Sequence, residues 1–384
     1  MLKILKLVTV PDQLDVALKG QMLDLKSRGF EVFMASDYDI SIPYIVEREA
    51  TPHFTIRFER DINIFKDFYS LIQTIRLLIK LKPDIVHTQS PKAGLIGMLA
   101  AFICGVKGRI HTVAGLPLME TKGLKRKLLI IIEKLTYCCS NSVIVNSQNL
   151  LDYIYDHIYS HTSKLKILGF GSSNGVDFKY FQNSTQINSE GINIKRFRGI
   201  EEDDFIWCFV GRIVKDKGIE ELIDSFEELL KVCPNTSLIL LGRFESKNSI
   251  SPEHKNRLLT NPKIFYFDHQ KDLRPYLSIS NAFCFPSYRE GLPDSLLQAA
   301  TFNLPAVTTD INGCNEIIQN EVNGLLVKPK DKDDLLAKMI RLQQDNVLLE
   351  RMSVNTRSII KKRYDQETVW DLQYLEYLKL LNKK

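Results

Sequence analysis

The sequence has no apolar run long enough to cross a membrane, no paired-cysteine motif and no low-complexity tract. Its longest charge-free apolar stretch covers residues 93–106, whereas a membrane-spanning helix needs about 20 apolar residues. The N-terminal residues 1–13 lack the continuous apolar core and small-residue cleavage site of a signal peptide, and they have the pattern of a first strand. We therefore expect neither a membrane span nor secretion.

The cysteines also lack any pairing pattern. None of the seven has the C-x-x-C spacing, and most lie inside apolar runs: Cys104, Cys138, Cys139, Cys208, Cys233, Cys284 and Cys314. This pattern is typical of buried, reduced thiols, and disulfides are rare in the cytoplasm. We therefore expect a cytoplasmic protein.

Length and composition indicate a folded chain with more than one core. Hydrophobic residues make up 44% and charged residues 25% of the chain, which is ordinary for a globular protein. A length of 384 residues exceeds what one hydrophobic core usually supports. Two domains are therefore expected, and a disordered chain is excluded.

Positive charge is concentrated in the first half. Residues 1–180 contain 23 Lys and Arg against 17 Asp and Glu, and the remainder contains 28 against 29. Two segments there, 74–82 and 122–132, mix basic and apolar residues, which suits an anionic membrane surface. An ordinary core helix with a solvated face fits them as well. Nucleic acid is not expected as a partner, because the basic residues are not dense and have no interleaved aromatics.

Strand-like and helical patterns alternate along both halves of the chain. Regular alternation predicts a parallel sheet covered by helices on both faces, so the fold class is α/β with two Rossmann-like, doubly wound domains. We predict an N-terminal domain over 1–180, a polar linker over 181–204, a C-terminal domain over 205–365, and a helix within 366–384 that crosses back to the first domain. Because ligands bind beyond the carboxyl ends of parallel strands, we expect the functional residues in an interdomain cleft.

Two cations follow the first strand of the second half. Residues 209–218 read FVGRIVKDKG and place Arg212 and Lys217 on a loop that opens a helix. A guanidinium and an ammonium at this position can hold a diphosphate. The alternative is a surface loop with two solvated cations, and the glycines on either side favour the binding site.

A second loop combines a carboxylate with a helix start. Residues 283–298 read FCFPSYREGLPDSLLQ, which predicts a buried strand, a loop and a helix that begins near Gly291. The free N–H groups and the dipole of such a helix terminus favour a phosphate. Glu290 can accept hydrogen bonds from sugar hydroxyls, although an isolated Glu-Gly pair is often a simple turn.

In this order and spacing, the motifs resemble the GT4 family of retaining glycosyltransferases, which have the GT-B fold. The resemblance covers nearly the whole chain through G-R-x4-K-G at 211–218, P-S-x2-E-G at 286–291, N-G-V-D at 174–177 and TDINGCNE with NGLLV within 309–327. It implies that Gly211, Arg212 and Lys217 bind the donor, and that Arg212 and Lys217 bind its phosphates and take part in catalysis.

The resemblance also implies roles for the second loop. Glu290 would bind the transferred sugar as a catalytic residue, and the amides of Gly291 and Leu292 would bind the distal phosphate. Gln298 departs from the pattern, because the family usually has a second glutamate there, which contacts the donor ribose. A glutamine amide can still bond ribose hydroxyls, so we expect altered binding, with activity retained.

Two segments of the first half resemble the loops that line the family's acceptor side. Residues 86–94 (VHTQSPKAG) and 109–117 (RIHTVAGLP) each follow a predicted strand. We expect His111 to contact the transferred sugar as a catalytic residue, and His87 and Lys92 to contact an anionic acceptor. For a single loop histidine, a structural role is the alternative.

The sequence predicts no metal and no other cofactor. Asp-x-Asp occurs at 37–39 and within 331–334, which formally matches the metal-binding motif of the unrelated GT-A fold. We interpret the first as a loop and the second as a helix start, where acidic residues suit the helix dipole. Arg212 and Lys217 already supply positive charge for the diphosphate.

The resemblance implies transfer of a hexose or N-acetylhexosamine from a UDP-sugar, with retention of the anomeric configuration. The first-half loops resemble members that build bacterial capsule or O-antigen chains on a polyprenyl diphosphate carrier. We therefore expect a lipid-linked saccharide acceptor and peripheral contact with the inner face of the cell membrane. Two alternatives stay open: a nucleotide-sugar epimerase with the same fold, and a non-catalytic nucleotide-sugar-binding partner in an assembly complex.

Overall fold

A computed structural model describes residues 1–59, 63–119, 121–160 and 163–382. The chain divides into two compact units. The first contains residues 1–175 together with 366–384, and the second contains residues 176–365. Residues 383 and 384, which end the predicted C-terminal segment, lie outside the described residues.

The first unit is built on a seven-stranded sheet in the order β3-β2-β1-β4-β5-β6-β7, and its neighbouring strands run parallel. The strands are β1 Leu2–Leu7, β2 Phe30–Ser36, β3 His53–Thr55, β4 Ile85–Gln89, β5 Gly108–Val113, β6 Ser142–Val145 and β7 Leu165–Lys166. The central strands are buried along nearly their whole length, as expected when helices cover both faces of a parallel sheet.

Helices connect these strands. They are α1 Gln21–Ser27, α2 Ile42–Glu49, α3 Ile64–Leu81, α4 Pro91–Ile103, α5 Gly123–Cys139, α6 Gln148–His157 and the C-terminal α15 Gln366–Asn382. Helix α4 packs against α3 and α5, and α15 packs against α1 and β5. Within the described residues, no helix is both long enough and apolar enough to cross a membrane.

The second unit repeats the design with six parallel strands in the order β10-β9-β8-β11-β12-β13. The strands are β8 Phe205–Val210, β9 Thr236–Leu241, β10 Ile264–Phe267, β11 Ala282–Phe285, β12 Ala306–Thr309 and β13 Gly324–Val327. Large side chains of the central strands fill the core, and Phe285 stacks between Phe209 and Phe283 with ring centroids 5.8 and 6.0 Å apart.

The helices of the second unit are α7 Thr185–Arg198, α8 Ile219–Val232, α9 Pro252–Thr260, α10 Arg274–Ser278, α11 Asp294–Thr301, α12 Cys314–Ile317, α13 Lys332–Gln344 and α14 Asn346–Tyr364. The strands β8, β11 and β12 are neighbours. Because they are parallel, their carboxyl ends lie at one edge of the sheet. Both motif loops of this unit begin at that edge.

The predicted domain class is confirmed, but the predicted linker is wrong. Residues 181–204 are mainly helix α7, which begins after the Ser184 side-chain cap and ends at Gly199 with φ 70°. This helix packs on α10 and belongs to the second unit. The boundary between the units follows Gly175, five residues before the predicted end of the N-terminal domain.

Candidate functional site

Three loops converge at the carboxyl edge of the second sheet. They follow β8 (residues 211–218), β11 (286–293) and β12 (310–313). The loop glycines allow close contact: Gly218 has φ +69° and faces the carbonyl of Pro286, and Gly313 has φ +79° and faces the carbonyl of Gly291. A side chain at either glycine would collide with backbone as well as require a left-handed conformation.

The structure brings Lys217 and Glu290 together in one ion pair. Lys217 ends a short 3-10 helix after β8, and Glu290 lies on the loop after β11. Both side chains are mostly buried, with 15% and 12% of their surface exposed. The ammonium of Lys217 also lies 5.4 Å from the centroid of the Phe285 ring. Two predicted donor-site residues, 73 positions apart in sequence, thus form one charged centre.

Arg212 lies on the same loop, beside Gly211, but has a different partner. Its guanidinium donates to Glu245 over 3.0 Å, and both side chains are about half exposed. Exposed pairs of this kind are weak. The guanidinium is therefore available to exchange Glu245 for a ligand oxygen at low cost.

The start of α11 has the features of an anion site. No side chain caps its N-terminus at Pro293, and the first amides of such a helix favour negative charge. Asn312 donates from its amide to the carbonyls of Glu290 (3.0 Å) and Gly291 (3.4 Å). The loop after β12 therefore orients the Glu290–Leu292 backbone, a role that the sequence did not reveal although the segment is part of the family pattern.

Gln298 lies on α11, one turn after its start, and is half-buried. Its backbone carbonyl accepts a hydrogen bond from the hydroxyl of Thr301 at 2.6 Å. The helix links Gln298 rigidly to the loop that carries Glu290. Its predicted contact with the donor ribose stays a prediction.

The expected loop positions of both histidines are wrong. His87 lies in β4 and His111 in β5, and only 4% and 2% of their surface is exposed. The ring of His111 is wedged against Gly94 of α4, and its Nδ1 lies 2.9 Å from the hydroxyl of Thr88. Burial lowers the pKa of His111 to about 3. The predicted contact of His111 with the transferred sugar stays a prediction.

His87 belongs to a buried polar group that fastens α15 to the first sheet. Its Nδ1 lies 2.8 Å from Nζ of Lys6 and 2.7 Å from the hydroxyl of Tyr377, and its Nε2 lies 2.7 Å from the hydroxyl of Thr112. Burial, and secondarily the neighbouring Lys6, holds the pKa of His87 well below its usual value. Both ring nitrogens have protein partners, so the geometry favours the structural alternative over acceptor binding.

Lys92 is in the first turn of α4, after the carboxyl end of β4. Its ammonium pairs with Asp67 of α3 over 2.8 Å, and 14% of the side chain is exposed. The position at the strand edge agrees with the predicted acceptor side. Contact with an acceptor stays a prediction.

The two Asp-x-Asp segments have local structural roles. Asp39 accepts from the amide of Ser41, and Asp331 caps α13 by accepting from the amide of Asp334. Asp334 in turn accepts from the amide of Lys328. These bonds agree with their interpretation as a loop and a helix start.

Two family models match the chain. The model described as Glycosyltransferase Family 4 matches residues 23–171, and the model described as Glycosyl transferases group 1 matches residues 192–359. The second match contains all three loops of the candidate site. The first lies within the first unit.

Curated relatives and solved structures agree with these matches. The chain is 33% identical to the capsular polysaccharide biosynthesis glycosyltransferase CapM of Staphylococcus aureus over 96% of this chain and 95% of that protein. It is 28% identical to an Escherichia coli UDP-Gal:alpha-D-GlcNAc-diphosphoundecaprenol alpha-1,3-galactosyltransferase over 78% and 76% of the two chains.

The fold resembles that of HepE from Anabaena in complex with UDP and glucose, with a TM-score of 0.83 and 17% identity over 99% of this chain and 100% of that chain. The two parallel-sheet units are those of the GT-B fold. The chain belongs to the family 4 glycosyltransferases, and it is a glycosyltransferase with the GT-B fold.

Proposed function

We propose that the protein transfers a hexose or N-acetylhexosamine from a UDP-sugar to a polyprenyl-diphosphate-linked saccharide during cell-surface polysaccharide synthesis. The observation that carries this proposal is the Lys217–Glu290 pair at the start of α11, which combines a cation and a helix N-terminus for a diphosphate with a carboxylate for sugar hydroxyls. The named substrates of the Escherichia coli relative and the UDP bound to HepE support the same donor class.

The proposed chemistry proceeds on one face of the sugar, with retention of the anomeric configuration. Lys217 and Arg212 would stabilise the negative charge that develops on the departing diphosphate, which is the usual purpose of preorganised donors. A diphosphate oxygen would take the proton of the attacking hydroxyl, so no protein carboxylate has to act as a covalent nucleophile. Glu290 would hold the sugar by accepting hydrogen bonds from its hydroxyl groups.

A thermal-shift screen of nucleotide sugars tests the donor assignment, because a ligand that binds the folded state stabilises it by mass action. The proposal expects UDP-sugars to raise the melting temperature of the wild type and to lose this effect in Lys217→Ala and Glu290→Ala. Arg341→Ala is the matched control, because Arg341 forms an exposed pair with Glu321 elsewhere in the same unit. An unchanged melting temperature with every nucleotide sugar would contradict the assignment.

Product analysis separates the proposal from its alternatives. Incubation of the enzyme with the donor alone should leave the sugar unaltered, and an epimerised sugar without acceptor would establish the epimerase. With a lipid-linked acceptor, the anomeric proton coupling of the product reports retention or inversion. Binding without any transfer would favour the non-catalytic partner.

We further propose that the first unit contacts an anionic membrane, where a polyprenyl carrier resides. The segment 64–139 contains twelve Lys and Arg against four Asp and Glu. Helix α5 exposes an apolar stripe that contains Leu124, Leu128, Ile131 and Leu135, at the spacing of one helix face. Exposed lysines at 125, 127 and 134 flank this stripe.

The second candidate segment, 74–82, does not share these features. Thr74, Leu77, Leu78 and Leu81 are buried in the core, which agrees with the alternative of a core helix. The membrane proposal therefore depends on α5.

Vesicle co-sedimentation tests this contact. Lys125→Gln with Lys127→Gln should weaken binding to phosphatidylglycerol vesicles about 30-fold, at about 1 kcal/mol per lysine near an anionic surface. The charge-matched control is Lys361→Gln with Lys362→Gln, two exposed lysines on α14. Equal binding of both double variants would contradict a role for α5.

A further inference from the structure

Two ion pairs of opposite polarity join neighbouring positions of the loops after β8 and β11. Asp216 pairs with Arg289, and directly beside it Lys217 pairs with Glu290. Arg289 donates to the same carboxylate oxygen of Asp216 from Nε at 2.9 Å and from Nη2 at 2.7 Å. Consecutive residues of one loop thus meet consecutive residues of the other with alternating charge.

Further hydrogen bonds join the two loops next to the Asp216–Arg289 pair. The amide of Tyr288 donates to the carbonyl of Asp216 at 2.8 Å, and the hydroxyl of Ser287 lies 3.3 Å from the same carbonyl. The hydroxyl of Tyr288 donates to Glu221 of α8. The other carboxylate oxygen of Asp216 is buried and has no hydrogen-bond partner among the described residues.

A bound diphosphate changes the balance between the two pairs. The proposed donor phosphates compete with Glu290 for the ammonium of Lys217, while the sugar hydroxyls occupy the Glu290 carboxylate. The Lys217–Glu290 pair is then weakened by the ligand itself. Some other contact has to keep the two side chains in position, because a displacement of about 1 Å in an active site can lower the reaction rate greatly.

We infer that Asp216 and Arg289 are positioning residues, whose ion pair holds the two loops together when the donor diphosphate separates Lys217 from Glu290. This inference rests on the proposed function. Neither side chain has to touch the donor, since Asp216 points at Arg289 and the pair lies beside the charged centre. The pair acts through the placement of Lys217 and Glu290.

Titration calorimetry with UDP tests the inference on Arg289→Ala, Asp216→Ala and the double variant. Each single variant should raise the Kd of UDP about fivefold, the upper range for a partly exposed ion pair. The double variant should show little further loss, because both changes remove the same pair. The exchange of the two charges, Asp216→Arg with Arg289→Asp, should recover part of the affinity. The matched control, Arg341→Ala, removes another exposed Arg–Glu pair of this unit and should leave the Kd unchanged.

Steady-state kinetics separates positioning from general destabilisation. A positioning role predicts a higher KM for the UDP-sugar at unchanged melting temperature, whereas partial unfolding lowers the melting temperature and the active fraction and leaves KM unchanged. If Arg289→Ala does not fold, Arg289→Lys supplies the test, because it keeps the charge and loses the two-nitrogen contact. UDP binding that is equal in wild type and in all loop variants would overturn the inference. Absence of UDP binding to the wild type would instead overturn the proposed function.

Discussion

The Lys217–Glu290 pair allows the two halves of a nucleotide sugar to be tested separately. Lys217→Ala removes a cation that the proposal places on the diphosphate, which UDP and a UDP-sugar share. Glu290→Gln removes the carboxylate that the proposal places on the sugar, which UDP lacks. The two variants should therefore affect the two ligands differently.

The magnitudes follow from the burial of the pair. Lys217 is only 15% exposed, so its phosphate contact is a charge-assisted hydrogen bond that is little weakened by solvent, at about 1.5–3 kcal/mol. Lys217→Ala should thus raise the Kd of both ligands about 10- to 100-fold. Glu290→Gln keeps an acceptor but loses its charge, which costs about 1 kcal/mol and about fivefold in affinity for the UDP-sugar.

Competition gives the sharper expectation for UDP. In the wild type, Glu290 holds the ammonium of Lys217, and UDP has to displace it. Glu290→Gln removes this competitor, so the Kd of UDP should stay equal or fall while that of UDP-galactose rises. Calorimetry with both ligands measures these opposite changes in Kd. If Lys217→Ala binds UDP as tightly as the wild type, or if Glu290→Gln weakens the binding of UDP as much as that of UDP-galactose, the ligand contacts proposed for these two residues are wrong.

Three further predictions concern Gln298, His111 and the dependence of activity on a metal ion. Gln298→Glu should lower the Kd of UDP about fivefold, because a carboxylate accepts ribose hydroxyls more strongly than an amide, and calorimetry should find a smaller gain with 2′-deoxy-UDP. The pKa of His111 lies at about 3 in the folded protein against 6.5 for the free side chain, so its contribution to stability is complete above pH 6.5 and is lost as the pH falls towards 3, at up to about 1.4 kcal/mol per pH unit. The melting temperature of His111→Asn should therefore fall less steeply between pH 7 and pH 5 than that of the wild type. An equal slope would contradict the lowered pKa of His111. Transfer activity should be unchanged by EDTA, because Lys217 and Arg212 provide the positive charge; a loss that magnesium restores would show that a metal is required.

The sequence predicted the sheets and the donor loops because both follow from local patterns. Alternation of strand and helix fixes a parallel, doubly wound unit, and the glycines around Lys217 and Glu290 mark loops that begin at strand ends. Parallel strands then bring such loops to one edge. The meeting of these two residues follows from topology once β8 and β11 are placed side by side.

Other features depend on packing that no local pattern reveals. Helix α7 is polar over most of its surface, and only residues such as Ile187 and Gly191 are buried, so its periodicity was hidden, although Ser184 and Gly199 mark its ends. His87 and His111 lie within strands that are buried on both faces, where polar and apolar residues do not alternate. Their burial depends on close helix packing, in which Gly94 leaves room for the His111 ring.

The Asp216–Arg289 ion pair could not be predicted from the sequence for a different reason. Each residue directly precedes a predicted site residue in sequence, yet nothing in either motif states that they meet across 73 positions. Their pairing follows from the same contact that joins Lys217 and Glu290. Charge partners between loops become visible only after the loops have been placed.

Transfer of a sugar from a nucleotide donor to a lipid-linked acceptor can be measured directly at this site. The most direct measurement incubates the wild type with radiolabelled UDP-sugars and a polyprenyl-diphosphate-linked saccharide, and counts label in the lipid product. We expect label in the lipid with the wild type and with Arg341→Ala, and a rate at least about 50-fold lower with the double variant Lys217→Ala, Glu290→Ala, from about 10-fold and fivefold for the two contacts above. Equal transfer by the double variant and the wild type would contradict the proposed function.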